Sequence, residues 1–141
     1  METLEPEDAV RPAPPMVTPF QLLGGDEALI RRVVDRFYDL MTTAPEYRLL
    51  RGMHAADLSP MRDRLTWWLT GWLGGPPRYQ QNTGRGICIT AVHRPFPIDA
   101  EVRDQWLECM RRALEEVEAP AEFRAMIDGP LAGIAEFLRN C

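Results

Sequence analysis

The 141-residue sequence predicts an all-α fold in a single domain. Long apolar stripes recur at steps of three and four residues, the spacing that gathers side chains on one face of an α-helix. Helix start and stop signals bracket each stripe. No convincing pair of alternating apolar and polar runs offers a sheet, although Gly86-Ile87-Cys88-Ile89-Thr90 is locally strand-like. At 45% hydrophobic and 26% charged residues, the chain has the material for one core and a wetted surface.

The elements follow in order. Residues 1–19 hold Pro6, Pro12, Pro14, Pro15 and Pro19 among several acids and no aromatic, which reads as a flexible arm whose loss costs the core little; the folded domain is residues 20–141. Gly24-Gly25-Asp26 opens the first long helix, with Asp26 as N-cap. Leu29, Ile30, Val33, Val34, Phe37, Tyr38 and Met41 form its buried face, and Ala44-Pro45 ends it. A turn through Gly52-Met53-His54-Ala55-Ala56-Asp57-Leu58 leads to Ser59-Pro60, a cap followed by proline at the first helical position. Met61, Leu65, Trp68, Leu69 and Trp72 share a face of this second helix, which Gly74-Gly75-Pro76-Pro77 stops. Arg78 to Thr90 reads as a long loop broken by Gly84 and Gly86, and such a loop in a compact domain usually has a job. Asp99 caps a third helix striped by Val102, Trp106, Leu107, Met110, Ala113, Leu114 and Val117. A fourth runs from Pro120 to Leu138 on Phe123, Met126, Ile127, Leu131, Ile134 and Leu138, with a kink expected at Gly129-Pro130.

Composition narrows the chemistry. Sixteen basic against 21 acidic residues give a net charge of −5, which argues against a nucleic-acid partner. All sixteen basic residues are arginine, so lysine Schiff-base chemistry and a P-loop lysine are excluded. Guanidinium groups remain, suited to carboxylates, including those of a bound cofactor. Cys88, Cys109 and Cys141 are odd in number and lack Cys-x-x-Cys spacing, which speaks against a disulfide scaffold or structural zinc and for the reducing cytoplasm. No apolar run is long enough for a membrane span, and the first residues lack the basic and apolar segments of a secretion signal.

Against four helices that simply bury one another stand three details. Tyr38 and Trp106 place polar-tipped aromatics on core-facing stripes, where each O–H or N–H needs a partner. His93 lies in the short apolar stretch Ala91 to Ile98, held from long-helix form by Pro95 and Pro97, and its imidazole needs either a hydrogen-bond partner or a metal. The glycine-rich loop ahead of it is costly to order if nothing lies beneath it. Together they suggest a cavity with an occupant.

Several short motifs then occur in a fixed order: Gly24-Gly25 after a first short helix, Arg36-Phe37-Tyr38, Trp72-Leu73-Gly74-Gly75-Pro76, His93-x-Pro95-Phe96-x-Ile98, and Arg103-Asp104-Gln105-Trp106-Leu107-x-Cys109-Met110. Through them the chain from Phe20 to Cys141 resembles the truncated haemoglobins of the second group, small haem proteins with a globin-like two-on-two helical sandwich. The resemblance implies haem b (iron protoporphyrin IX), with His93 as the proximal ligand of the iron. It makes Tyr38 and Trp106 distal donors, puts Met61 and Leu65 along the pocket, and sets Phe96, Ile98 and Trp68 against the haem edges. Tyr79, Arg85 and Arg94 are the candidates for the propionates. In the turn before the distal helix, Met53 or His54 takes a position facing the ligand; His54 is preferred because it completes a three-donor pocket, and it is a candidate to ligate the iron itself when no ligand is present. Two departures fall on the propionate side: a slightly longer loop, and Ile87-Cys88-Ile89-Thr90-Ala91-Val92 where many relatives are more basic.

The function implied is binding of O₂, CO, NO or another diatomic ligand, within the oxygen-binding and oxygen-transport globins. A hydrogen bond to a charged group contributes about 1.5–3 kcal/mol, and about 1.4 kcal/mol is tenfold in an equilibrium, so two donors predict slow O₂ release rather than a fast-exchanging store. An enzyme is the alternative, a peroxidase or a dioxygenase converting nitric oxide to nitrate, and it would need an external electron donor. A haem-free helical interaction module is the third reading.

Overall fold

The computed structural model describes residues 17–141 and arranges them in eight α-helices and one 3₁₀ turn, with no strand among the described residues. Residues 1–16, most of the stretch read as an arm, lie outside the described residues. Pro19, the last residue of that stretch, already belongs to helix α1 (Pro19–Leu22). Thr18 caps α1 reciprocally with Gln21: the Thr18 hydroxyl accepts from the Gln21 N–H at 3.1 Å, and Gln21 Oε1 accepts from the Thr18 N–H at 2.9 Å.

Helix α2 (Glu27–Thr43) starts where Asp26 was expected to cap it, the carboxylate accepting from the Leu29 N–H at 3.0 Å. It stops at Ala44, whose extended backbone suits the residue before a proline. The turn Pro45–Tyr47 and the short α3 (Arg48–Gly52) carry the chain to α4 (Ser59–Trp72). Ser59, expected as the cap, is instead the first helical residue. The Asp57 carboxylate accepts its N–H at 3.0 Å, because an acid two residues back outcompetes a hydroxyl already inside the turn.

Arg78 to Thr90 is not one long loop. It holds α5 (Arg78–Thr83) and the start of α6 (Ile89–His93), separated at Gly84, whose left-handed backbone (φ 76°) ends α5. Neither helix has an apolar stripe to betray it; α5 is held from outside, Arg78 gripping both oxygens of Glu27 at 2.9 Å. The strand-like Gly86 to Thr90 segment forms no strand. Helix α7 (Ala100–Glu116) is capped by Asp99, which accepts from the Val102 N–H at 2.9 Å. Helix α8 (Ala121–Leu138) runs as one segment over the expected range, with Pro130, where a kink was expected, inside it.

Two pairs of helices make the core, α2 with α4 and α7 with α8, and α2 against α7 is the seam between them. Because α2 packs on both sides, eight of its residues are buried, from Leu29 to Met41. Facing it, α7 offers small side chains, Cys109 and Ala113, both wholly buried. The helices approach closely enough for the Cys109 thiol to donate to the backbone carbonyl of Phe37, at 3.3 Å. No described helix is long and apolar enough to cross a membrane.

Candidate functional site

The two histidines are built alike. His93 closes α6 with Nδ1 2.6 Å from the Ile89 carbonyl, and His54, just past α3, has Nδ1 2.9 Å from the Leu50 carbonyl. A carbonyl only accepts, so in each ring Nδ1 carries a proton and donates, and in the neutral imidazole the lone pair then falls on Nε2. Neither Nε2 has a hydrogen-bond partner among the described residues. The choice posed by the sequence, a partner or a metal for His93, thus has a divided answer: one nitrogen is satisfied and the other is left free. Burial holds the His54 pKa below the ordinary histidine value, against the bond to the Leu50 carbonyl; the charges of Arg51 and His93 lower it further.

Tyr38 is 2% exposed, and its hydroxyl makes no hydrogen bond among the described residues. A buried tyrosine O–H ordinarily finds a partner, so this orphaned donor marks a place for a polar guest. Burial raises its pKa, with the Arg62 guanidinium working in the opposite sense, so the phenol stays protonated and can donate. Edge-to-face contacts join the predicted distal groups in a row. The Tyr38 and His54 rings are 5.8 Å apart, Phe37 lies 5.1 Å from Tyr38, and Trp106 lies 5.5 Å from Phe37. Trp106 is half-buried and its indole N–H also lacks a partner among the described residues.

The remaining predicted residues spread along both sides of α4. Met61, Leu65 and Trp68 are half-buried and pack on the core, as does Met53. Trp68 stacks on Trp72 with ring centres 5.6 Å apart, and these two, with Trp67, Tyr79 and Ile87, line an open groove of 320 Å³. Ile98 is buried in the core. Phe96, at 41% exposure, Arg85 and Arg94 are exposed, and no hydrogen bond, ion pair or ring contact among the described residues ties these three side chains to the aromatic row.

Sequence reasoning missed three supporting groups. Arg62 lies over the Tyr38 ring at 5.8 Å, pinned by the Asp35 and Asp39 carboxylates at 3.0 and 2.8 Å. The Asp35 and Asp39 pair, one turn apart, was the available signal for such an arginine. Gln105, beside Trp106, accepts from the Leu50 N–H at 3.1 Å and so tethers α3, which ends just ahead of His54, to α7. Cys109 fixes the backbone at Phe37; burial pushes its thiol up to about 12, which leaves it inert.

Comparison with known proteins places the chain in a family. The family model described as bacterial-like globin matches residues 18–140. The chain is 34% identical over 122 residues to the group 2 truncated hemoglobin YjbI of Bacillus subtilis, covering 86% of this chain and 88% of the relative. Among solved structures, a group II 2-on-2 hemoglobin from the plant pathogen Agrobacterium tumefaciens superposes with a TM-score of 0.80 at 37% identity, over 92% of this chain and 98% of that one. A truncated oxygen-avid haemoglobin from Bacillus subtilis does so at 0.77 and 34% identity, over 87% and 99% of the two chains. The chain belongs to the bacterial-like globin family, with the two-on-two fold of group II truncated haemoglobins, a family of haem-based ligand binders.

Proposed function

We propose that this globin holds haem b through His93 Nε2 and retains O₂ and other diatomic ligands, CO or NO, in a polar pocket from which O₂ leaves slowly. The observation that supports it best is the pairing of two unsatisfied groups: a free imidazole lone pair on His93 and a buried, unpartnered hydroxyl on Tyr38. The residues present fit the group. Haem, when bound, supplies an iron atom with one position for an imidazole and one for a diatomic ligand. The Ile89 carbonyl fixes the His93 tautomer and turns its lone pair outward from α6. Tyr38 donates its O–H and Trp106 its N–H to the ligand, whose partial negative charge they stabilise. His54 lies on the polar side, but with Nδ1 spent on the Leu50 carbonyl it offers a lone pair there rather than the third donor expected from the sequence. Trp68, Leu65, Phe96 and Ile98 supply apolar contact to the ring, Met61 lines the ligand side, and Tyr79, Arg85 and Arg94 serve the propionates.

Spectroscopy of His93→Gly tests the assignment. The wild-type protein should give a Soret band and a five-coordinate ferrous spectrum. His93→Gly should give that spectrum only when imidazole is added. A five-coordinate histidine-type spectrum from the variant without imidazole would assign the iron to another ligand.

A further inference from the structure

Asn140, just beyond α8, does work that the binding reading does not use. Its carboxamide spans the turn that follows His93: Oδ1 accepts from the Ile98 N–H at 2.9 Å, and Nδ2 donates to the Phe96 carbonyl at 2.8 Å. The backbone closes the clasp, the Asn140 and Cys141 N–H groups donating to the Ile98 carbonyl at 2.9 and 3.3 Å. That turn is tied in its turn to the histidine, because the Phe96 N–H donates to the His93 carbonyl at 3.0 Å.

The turn needs such help. Pro95 and Pro97 have no N–H, so it has few donors of its own, and the Phe96 side chain is too exposed to anchor it by burial. Helix α6 is five residues long with no side-chain cap, far below the length at which a helix holds itself. What orients His93 must therefore act from outside α6, and α8 is the element packed against it.

We infer that Asn140 is a positioning residue for His93: its carboxamide, through the Phe96 carbonyl and the turn, sets the orientation in which the imidazole presents Nε2. The inference rests on the reading of His93 as the haem ligand. A single planar amide is suited to this because it offers a donor and an acceptor side by side. Aspartate keeps the acceptor for the Ile98 N–H and loses the donor for Phe96; alanine loses both.

The test uses the full-length, haem-loaded, ferrous protein without added ligand. Resonance Raman reads the iron–imidazole stretching band, and transfer to excess apomyoglobin reads haem loss. Asn140→Ala and Asn140→Asp should both shift or broaden the band and speed haem loss on the order of tenfold, the effect typical of a group behind a metal ligand. In a His93→Gly background supplied with free imidazole, which no longer hangs from α6, neither substitution should move the band. A band unmoved in Asn140→Asp overturns the inference, as does an equal shift in the imidazole-supplied background. So does a variant that only lowers the unfolding temperature. Failure of the haem reading looks different: the wild type itself would then lack the band.

Discussion

Tyr38 and His54 show how single residues of the proposed ligand side are prepared in advance. The phenol is kept protonated by burial and has no competing acceptor among the described residues, so its hydrogen bond is spent on whatever enters. Tyr38→Phe should therefore accelerate O₂ dissociation roughly tenfold or more in stopped-flow experiments, the kinetic equivalent of about 1.5–3 kcal/mol. An unchanged rate would leave Trp106 as the effective donor. His54 makes a second prediction, in pH. Its folded pKa lies below the ordinary 6.5, so the unfolded chain binds the proton more readily. Its contribution to stability is then complete above pH 6.5 and is lost as pH falls from there through the lowered folded value. Denaturation of the wild type against His54→Phe between neutral and mildly acid pH should show a steeper fall for the wild type. Parallel curves would rule the shift out. Tyr38 and Trp106 were legible in the sequence because a polar tip on an apolar stripe is conspicuous. Arg62 was not, since its seat over Tyr38 depends on how α4 lies across α2.

Between elements, α1 sits directly against the turn that follows α4. The Phe20 N–H donates to the Leu73 carbonyl at 2.9 Å, and a Cβ at Gly75 would stand 2.7 Å from the Phe20 ring and 2.8 Å from the Thr70 carbonyl. A backbone oxygen cannot step aside, so Gly75→Ala should lower unfolding stability by about 1–3 kcal/mol, as overpacking does. Gly133→Ala is the contrast: the site is inside α8 with nothing within 4 Å of the added methyl, and it should raise stability by about 0.5–1 kcal/mol. Chemical denaturation of the two variants checks both signs. The Gly74-Gly75 stop was readable from composition alone, whereas its role as a seat for Phe20 was not. The same boundary explains what was missed in Arg78 to Thr90. Helices α5 and α6 are too short to show a stripe and are stabilised by Glu27 and by α8, and periodicity cannot register support that arrives from elsewhere in the chain.

At the scale of the whole molecule, the four long helices were foreseen because each carries an apolar stripe, and α2 and α7 also have the aspartate caps expected of them. Their mutual arrangement was available only through the resemblance, since stripes say which faces are buried and not against what. The seam where α2 meets α7 has a further consequence. Cys88 and Cys141 are exposed, while Cys109 is wholly enclosed there with its proton on the Phe37 carbonyl. A thiol reagent should thus label two positions promptly and the third only when the pairs part. The slow phase is a stopwatch for breathing of the globin: its rate should fall when haem locks the pairs together, and mass spectrometry of the labelled peptide would read out that opening without any denaturant.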